Sequence, residues 1–266
     1  GACKKKNVSM AAEGNSLIGR LLQRGAVRRW KLAARKATHA DLDTLRNQRH
    51  RARQLRALVD ELMHVADSRL ALPRIGSNAF SRPGGTEWSW RPQLWRGRLG
   101  RKGMAAVPSK TALGDEVTIF HDCKISELTL RQVRNTREQD LAPFGLRMDV
   151  FRFDGSFLSL VIDAPASACE GLQRRHIVRV NLIIEVEKSI EIFARLNIKH
   201  GPNTEQLVLE LPLGEPEVMV EFDLGYSDIN EKRVERMWLD LIFESPEMNQ
   251  VTIRDLTFCR YPRAEI

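Results

Sequence analysis

Residues 217–223 read Glu217-Val-Met-Val-Glu-Phe-Asp223, an alternation that puts Val218, Val220 and Phe222 on one face and Glu217, Met219, Glu221 and Asp223 on the other. A period of two in apolar and polar residues marks a strand with one buried and one wet face. Outward from this stretch the same signal recurs. Val117–His121, Leu128–Val133, Leu146–Phe153, Phe157–Asp163 and His176–Glu187 read as strands, followed by Ile190–Ile198, Glu205–Leu211, Met237–Phe243 and Val251–Phe258. Turn residues separate them. Asp154-Gly155 reads as a tight hairpin turn between Phe153 and Phe157, and His200-Gly201-Pro202-Asn203 breaks one strand from the next. Trp238–Phe243 and Val251–Phe258, joined through Pro246 and Asn249, read as a closing hairpin. Many short strands at this spacing, with little helical patterning after residue 140, predict a mainly β fold: a jelly-roll-like antiparallel β-sandwich preceded by a basic N-terminal helical arm.

Charge divides the chain in the same place as pattern does. Residues 1–110 hold 24 Lys and Arg against 7 Asp and Glu, whereas residues 111–266 hold 18 against 27. Such asymmetry marks an interaction tail on a globular body. The expected organisation is a basic helical arm at 1–75, a connector rich in Gly, Pro, Trp and Arg at 76–110, and a β-sandwich domain at 111–266. At 42% hydrophobic and 29% charged residues the composition is that of an ordinary globular protein. The start Gly1-Ala2-Cys3-Lys4-Lys5-Lys6 has neither an initiator methionine nor an apolar core behind it, so Met10 is the expected beginning and residues 1–9 are given no role. No apolar run reaches the length of a bilayer span. Four cysteines, at 3, 123, 169 and 259, without CxxC spacing fit a reduced setting. The expected location is cytoplasmic, with membrane-surface attachment open through the arm.

Within the arm, residues 16–37 read as an amphipathic helix interrupted at Gly25. Thr38 with Asp41 three residues on resembles a capping box, so a second helix is expected from near Thr38 to before Pro73. Leu42, Leu45, Ala52, Leu55, Val59, Leu62 and Ala66 form its apolar stripe. That stripe suits packing on the β domain, or homo-oligomerisation through residues 39–71. Its polar face carries Arg46, Arg49, Arg51, Arg53 and Arg56 early, then Asp60, Glu61 and Asp67, an order that opposes the helix dipole. Arg46, Arg49, Arg53 and Arg56 are the candidates for binding a polyanion, either nucleic acid or an anionic membrane surface.

The connector holds Trp88, Trp90 and Trp95, three of the five tryptophans, among Arg82, Arg91, Arg96 and Arg98. Exposing that much indole is costly, so the rings either seal an edge of the β domain or serve a ligand. Trp88, Trp90, Trp95 and Arg91 are the candidate stacking site. His121-Asp122-Cys123, His176 and His200 lack standard zinc spacing, and GxSxG, P-loop, GxGxxG and HExxH signatures are all missing. No cofactor, metal or catalytic residue is expected.

The last segment has the form apolar-x-apolar-x-Asp-apolar-x-apolar, here Val251, Ile253, Asp255, Leu256 and Phe258. In layout the body therefore resembles the galactose-binding-like and carbohydrate-binding-module jelly rolls. The stretches LGDEVTIFHDC (113–123), ELTLRQVRNTRE (127–138), FGLRMDVFRFDGSFLSLVID (144–163) and FARLNIKHGPNTEQ (193–206) resemble an uncharacterised alphaproteobacterial family of unknown function, a likeness that transfers no activity. The layout implies a non-catalytic binding module whose partner is a glycan or another protein. Polyanion binding through the arm is the alternative. A carbohydrate-active enzyme is a further one, which would require two carboxylates facing each other across a groove.

Overall fold

The computed structural model describes residues 17–74, 80–137 and 139–263. Internal contacts group the chain into two units, residues 1–60 and 61–266. The first holds α1 (Leu17–Lys36), a 3-10 turn at Ala37–His39, and most of α2 (Leu42–Arg74). α1 runs unbroken through Gly25, contrary to the expected interruption. One glycine costs a helix about 1 kcal/mol relative to alanine, too little to end a long one.

Asp41, and not Thr38, caps α2. Its Oδ1 accepts the Thr44 N–H at 2.8 Å and its carbonyl accepts that of Leu45 at 3.0 Å. The Thr44 bond also holds the Asp41 carboxyl below the usual range. Thr38 lies in the 3-10 turn, so the capping-box reading placed the boundary one turn early. At the other end α2 continues through Pro73 to Arg74, beyond the expected stop. Pro73 falls in the closing turn, where its missing N–H removes one helical hydrogen bond.

The second unit is an antiparallel sandwich. Its strands are β1 (Trp88–Trp90), β2 (Gly103–Ala105), β3 (Thr111–Leu113), β4 (Val117–His121), β5 (Leu128–Arg134), β6 (Phe144–Val150) and β7 (Leu158–Asp163). There follow β8 (His176–Val186), β9 (Ile192–His200), β10 (Asn203–Glu210), β11 (Glu217–Asp223), β12 (Val234–Phe243) and β13 (Asn249–Pro262). A one-turn helix, α3 (Gln93–Arg96), lies between β1 and β2. One sheet runs β11-β8-β13-β6-β5-β2, with β1 also on β13; the other runs β10-β9-β12-β7-β4-β3. All ten strands expected from alternation are present. Val218, Val220 and Phe222 point inward as read, and Leu196, Ile198, Leu239 and Leu241 of the six-stranded sheet share the buried core.

Two of the expected hairpins are crossovers. β6 and β7 lie in different sheets, so Asp154-Gly155 is not a hairpin turn. Gly155 is there for closeness: a Cβ would lie 2.5 Å from Asp122 Oδ1, whose carboxylate accepts the Ser156 N–H at 2.7 Å and the Ser156 hydroxyl at 2.6 Å. Likewise β12 pairs with β7 and β9, while β13 pairs with β8, β6 and β1. Each of the two strands thus lies between two neighbours of its own sheet. The His200–Asn203 turn does close the β9–β10 hairpin, with Gly201 at φ +60° where the primed turns need it.

Residues 88–105, read as connector, supply β1, α3 and β2 and are tied to β13 at a bulge between Ile253 and Asp255. There Arg91 Nε donates to Asp255 Oδ1 at 2.8 Å and Arg91 Nη2 to Oδ2 at 2.7 Å. The Arg91 side chain has no exposed surface. Trp95 Nε1 donates to the Ile253 carbonyl at 3.0 Å. Removing one member of a buried ion pair strands the other charge, so Arg91→Met is expected to lower stability by about 3–5 kcal/mol in urea denaturation. The double variant Arg91→Met/Asp255→Leu should recover most of that loss.

Candidate functional site

The outer face of the six-stranded sheet carries an unusual set of side chains. In β12 the inward residues are Met237, Leu239, Leu241 and Phe243, so alternation turns Arg236, Trp238, Asp240 and Ile242 outward. Register puts Asp240 beside Arg195 of β9 and Val161 of β7, and Trp238 beside Asn197 and Asp163. Ile242 lies beside Ser159, which in turn pairs with Phe120 of β4. Phe157, at the entry to β7, completes the wall. These residues line a groove of about 450 Å³, within the ordinary size range of ligand pockets.

Asp240 is the polar centre of the groove. Its side chain is 5% exposed. Arg195 Nε and Nη2 donate to its Oδ2 at 2.8 and 2.6 Å, and Asn197 Nδ2 donates to the same oxygen at 3.1 Å. Asn197 is itself held by Gln206 of β10, whose Nε2 donates to Asn197 Oδ1 at 3.1 Å. Arg236 donates from Nε to Asp163 Oδ1 at 3.0 Å, and its guanidinium lies 4.8 Å from the Trp238 ring centroid. Each arginine on the floor is thus matched by a carboxylate. Ser159 Oγ is buried with no hydrogen-bond partner, in a residue 7% exposed. A groove floored by fixed, paired polar groups and walled by Phe120, Phe157 and Trp238 suits an uncharged ligand with both apolar faces and hydroxyls. The other sheet presents ion pairs outward, including Arg179–Glu221 and Arg147–Asp149. Burial pushes Tyr261 beside the first pair up to about 12.

The four residues singled out in the connector lie on the opposite sheet or in the core. Trp95 is wholly buried and Arg91 is 2% exposed, so neither offers surface to a ligand. Trp88 and Trp90 stack with centroids 6.3 Å apart and pack against the core, Trp90 on Phe258 at 5.3 Å. Trp88 Nε1 donates to Ser167 Oγ at 3.2 Å. Both rings keep part of their surface exposed. In the arm, Arg46, Arg49, Arg53 and Arg56 are all exposed, with Arg46 paired to Asp43 at 2.8 Å. Among the described residues no group of His, Cys, Asp or Glu converges as a metal would need, and no helix is long and apolar enough to cross a membrane. Cys123, Cys169 and Cys259 are unpaired thiols. Reasoning from sequence missed Trp238 and Asp240. The available signal was their shared parity in β12, which turns an indole and an acid onto the face that alternation leaves wet.

The chain belongs to a family of unknown function, DUF6478, whose model matches residues 10–266. No curated protein matches it. Among solved structures it is similar to the family 11 carbohydrate-binding module from Clostridium thermocellum in complex with a β-1,3-1,4-mixed-linked tetrasaccharide. The two are 11% identical over 62% of this chain and 97% of that one, with a TM-score of 0.38. It is also similar to the C-terminal family 22 carbohydrate-binding module of C. thermocellum Xyn10B, at 7% identity over 58% of this chain and 89% of that one, with a TM-score of 0.35. Likenesses this distant carry no argument about what the groove holds.

Burying a hydroxyl without a partner costs stability, so replacing it should return some. Ser159→Ala is expected to leave stability unchanged or raise it by up to about 1 kcal/mol in urea denaturation. A Ser159 that held the fold together would instead show a loss.

Proposed function

We propose that the protein is a non-catalytic binding module that takes a neutral glycan in the groove on the outer face of the six-stranded sheet. The observation that carries this reading is the pairing of every groove arginine with a carboxylate, Arg195 with Asp240 and Arg236 with Asp163, beneath three aromatic rings. Sugar rings present apolar C–H faces to aromatic planes and hydroxyls to fixed polar groups, and this surface supplies both. Asp240 and Asp163 are held by arginine, which leaves them as positioning groups and hydrogen-bond acceptors. An acidic sugar would meet two carboxylates along with the two guanidinia and would gain little from charge.

Titration of the full chain with neutral and acidic polysaccharides tests the proposal. Binding of a neutral polysaccharide is expected to persist in high salt, since no net charge attraction drives it. Trp238→Ala should weaken it by about tenfold or more, as loss of one stacked aromatic implies. If affinity is lost in Trp88→Ala or Trp90→Ala and kept in Trp238→Ala, the site belongs to the edge of the seven-stranded sheet. Binding to no neutral glycan would discard the reading.

A second reading is favoured by the exposure of Arg46, Arg49, Arg53 and Arg56 along α2. Spaced by three and four residues, they share one side of the helix and can neutralise successive phosphates of a polyanion. Affinity for DNA or for anionic vesicles, measured on the full chain, should then fall steeply with salt and in Arg49→Ala/Arg53→Ala. An interaction indifferent to salt would count against it.

A further inference from the structure

Among the described residues of α2, a run of apolar side chains remains on its surface. Leu58 is 65% exposed and Leu62 67%, and Leu55, Val59 and Met63 are exposed as well. Leu45, Gln48, Ala52, Leu55, Val59 and Leu62 recur at alternating intervals of three and four, the spacing of a coiled-coil seam. From Leu45 to Leu62 this seam is about 27 Å long at the rise of an α-helix. Leu58 and Met63 flank and widen it.

Charge selects what covers the stripe. Between residues 42 and 56 the helix carries five arginines and one aspartate, while between 57 and 72 it carries three carboxylates and one arginine. The two halves of the helix thus carry opposite charge. Two such helices side by side in the same direction would set arginines against arginines. Side by side in opposite directions, the arginine-rich half of each lies along the carboxylate-bearing half of the other.

We propose that α2 is a homodimerisation element that pairs with α2 of a second copy of this chain in antiparallel orientation, about a two-fold axis near residue 57. That axis sets Leu55 of one copy beside Val59 of the other and Ala52 beside Leu62, so small residues face large ones along the seam. The interface is isologous and closes on itself, so assembly stops at two. The polar Gln48 within the seam penalises registers that would bury it against leucine.

Sedimentation velocity of the full chain over a wide concentration range tests the proposal, with far-ultraviolet circular dichroism to confirm that each variant folds. The wild type is expected to pass from monomer to dimer with concentration. Leu55→Glu/Leu62→Glu should weaken dimerisation by more than about a hundredfold, since four buried leucines are lost per dimer. Orientation has its own readout. Arg49→Glu/Arg53→Glu and Asp60→Arg/Glu61→Arg should each weaken the dimer, and the four changes together in one chain should restore it. A chain that stays monomeric throughout, or a dimer indifferent to the leucine variants, overturns the proposal. Failure of the fourfold variant to recover dimerisation overturns the antiparallel arrangement.

Discussion

The bulge in β13 is the constraint on which the sandwich turns. Along one edge β13 pairs with β8 over nearly its whole length, but along the other it meets β6 up to Ile253 and β1 from Phe258 onward. The strand must release one partner and take up another within a few residues. Its free polar groups at that point need replacements. The Ile253 carbonyl goes to the Trp95 indole, the Arg254 carbonyl to Asn135 Nδ2, and the Asp255 carboxylate to Arg91. Gly145 is required in the same place, because a Cβ would come within 2.9 Å of the Ile253 carbonyl. Satisfying the bulge therefore recruits residues 91–95 into the body. Gln132 fixes that segment in turn, accepting the Leu99 N–H and donating to the Leu94 and Gly97 carbonyls.

With the seven-stranded sheet locked in this way, the six-stranded sheet contributes one face to the core and has the other to spare. Its outer face departs from ordinary solvent-side composition. A wet strand face gains little from an indole or from an aspartate with 5% of its side chain exposed, because both are paid for in desolvation. Three donors converge on one oxygen of Asp240, two from Arg195 and one from Asn197, both of the neighbouring strand β9. Polar groups held this firmly have little freedom left to lose, which is the preorganisation that the proposed glycan site relies on.

Much of the fold was legible in the sequence, and its connectivity was not. Alternation located the ten strands from β4 to β13 because each has one face against the core, and passed over the three-residue β3. Alternation says nothing about which sheet a strand joins, so β12 and β13 read as a hairpin although the chain crosses from one sheet to the other between them. The Trp-rich segment misled for a related reason. Gly and Pro around Trp88, Trp90 and Trp95 signal a loop, yet the three-residue strand and the single helical turn they permit are enough to bury Trp95 and half-bury the other two. Trp238 was overlooked because it lies in a strand with strong apolar content, where an indole reads as core. Its parity with Arg236 and Asp240, and against Leu239 and Leu241, was the discriminating fact.

Sequences that specify one fold keep local preference and global structure in agreement, and departures tend to mark places under another demand. Arg91–Asp255 is no such departure, since its charges complete a strand pairing. Ser159 is one: its hydroxyl is buried on the groove side without a partner, where alanine would fit the strand as well. The arm is another, with arginines in the first half of α2, carboxylates in the second, and leucines left on its surface. Neither pattern is explained by the contacts of a single chain. In the proposed dimer, the antiparallel α2 of the second copy supplies the complementary order of charge.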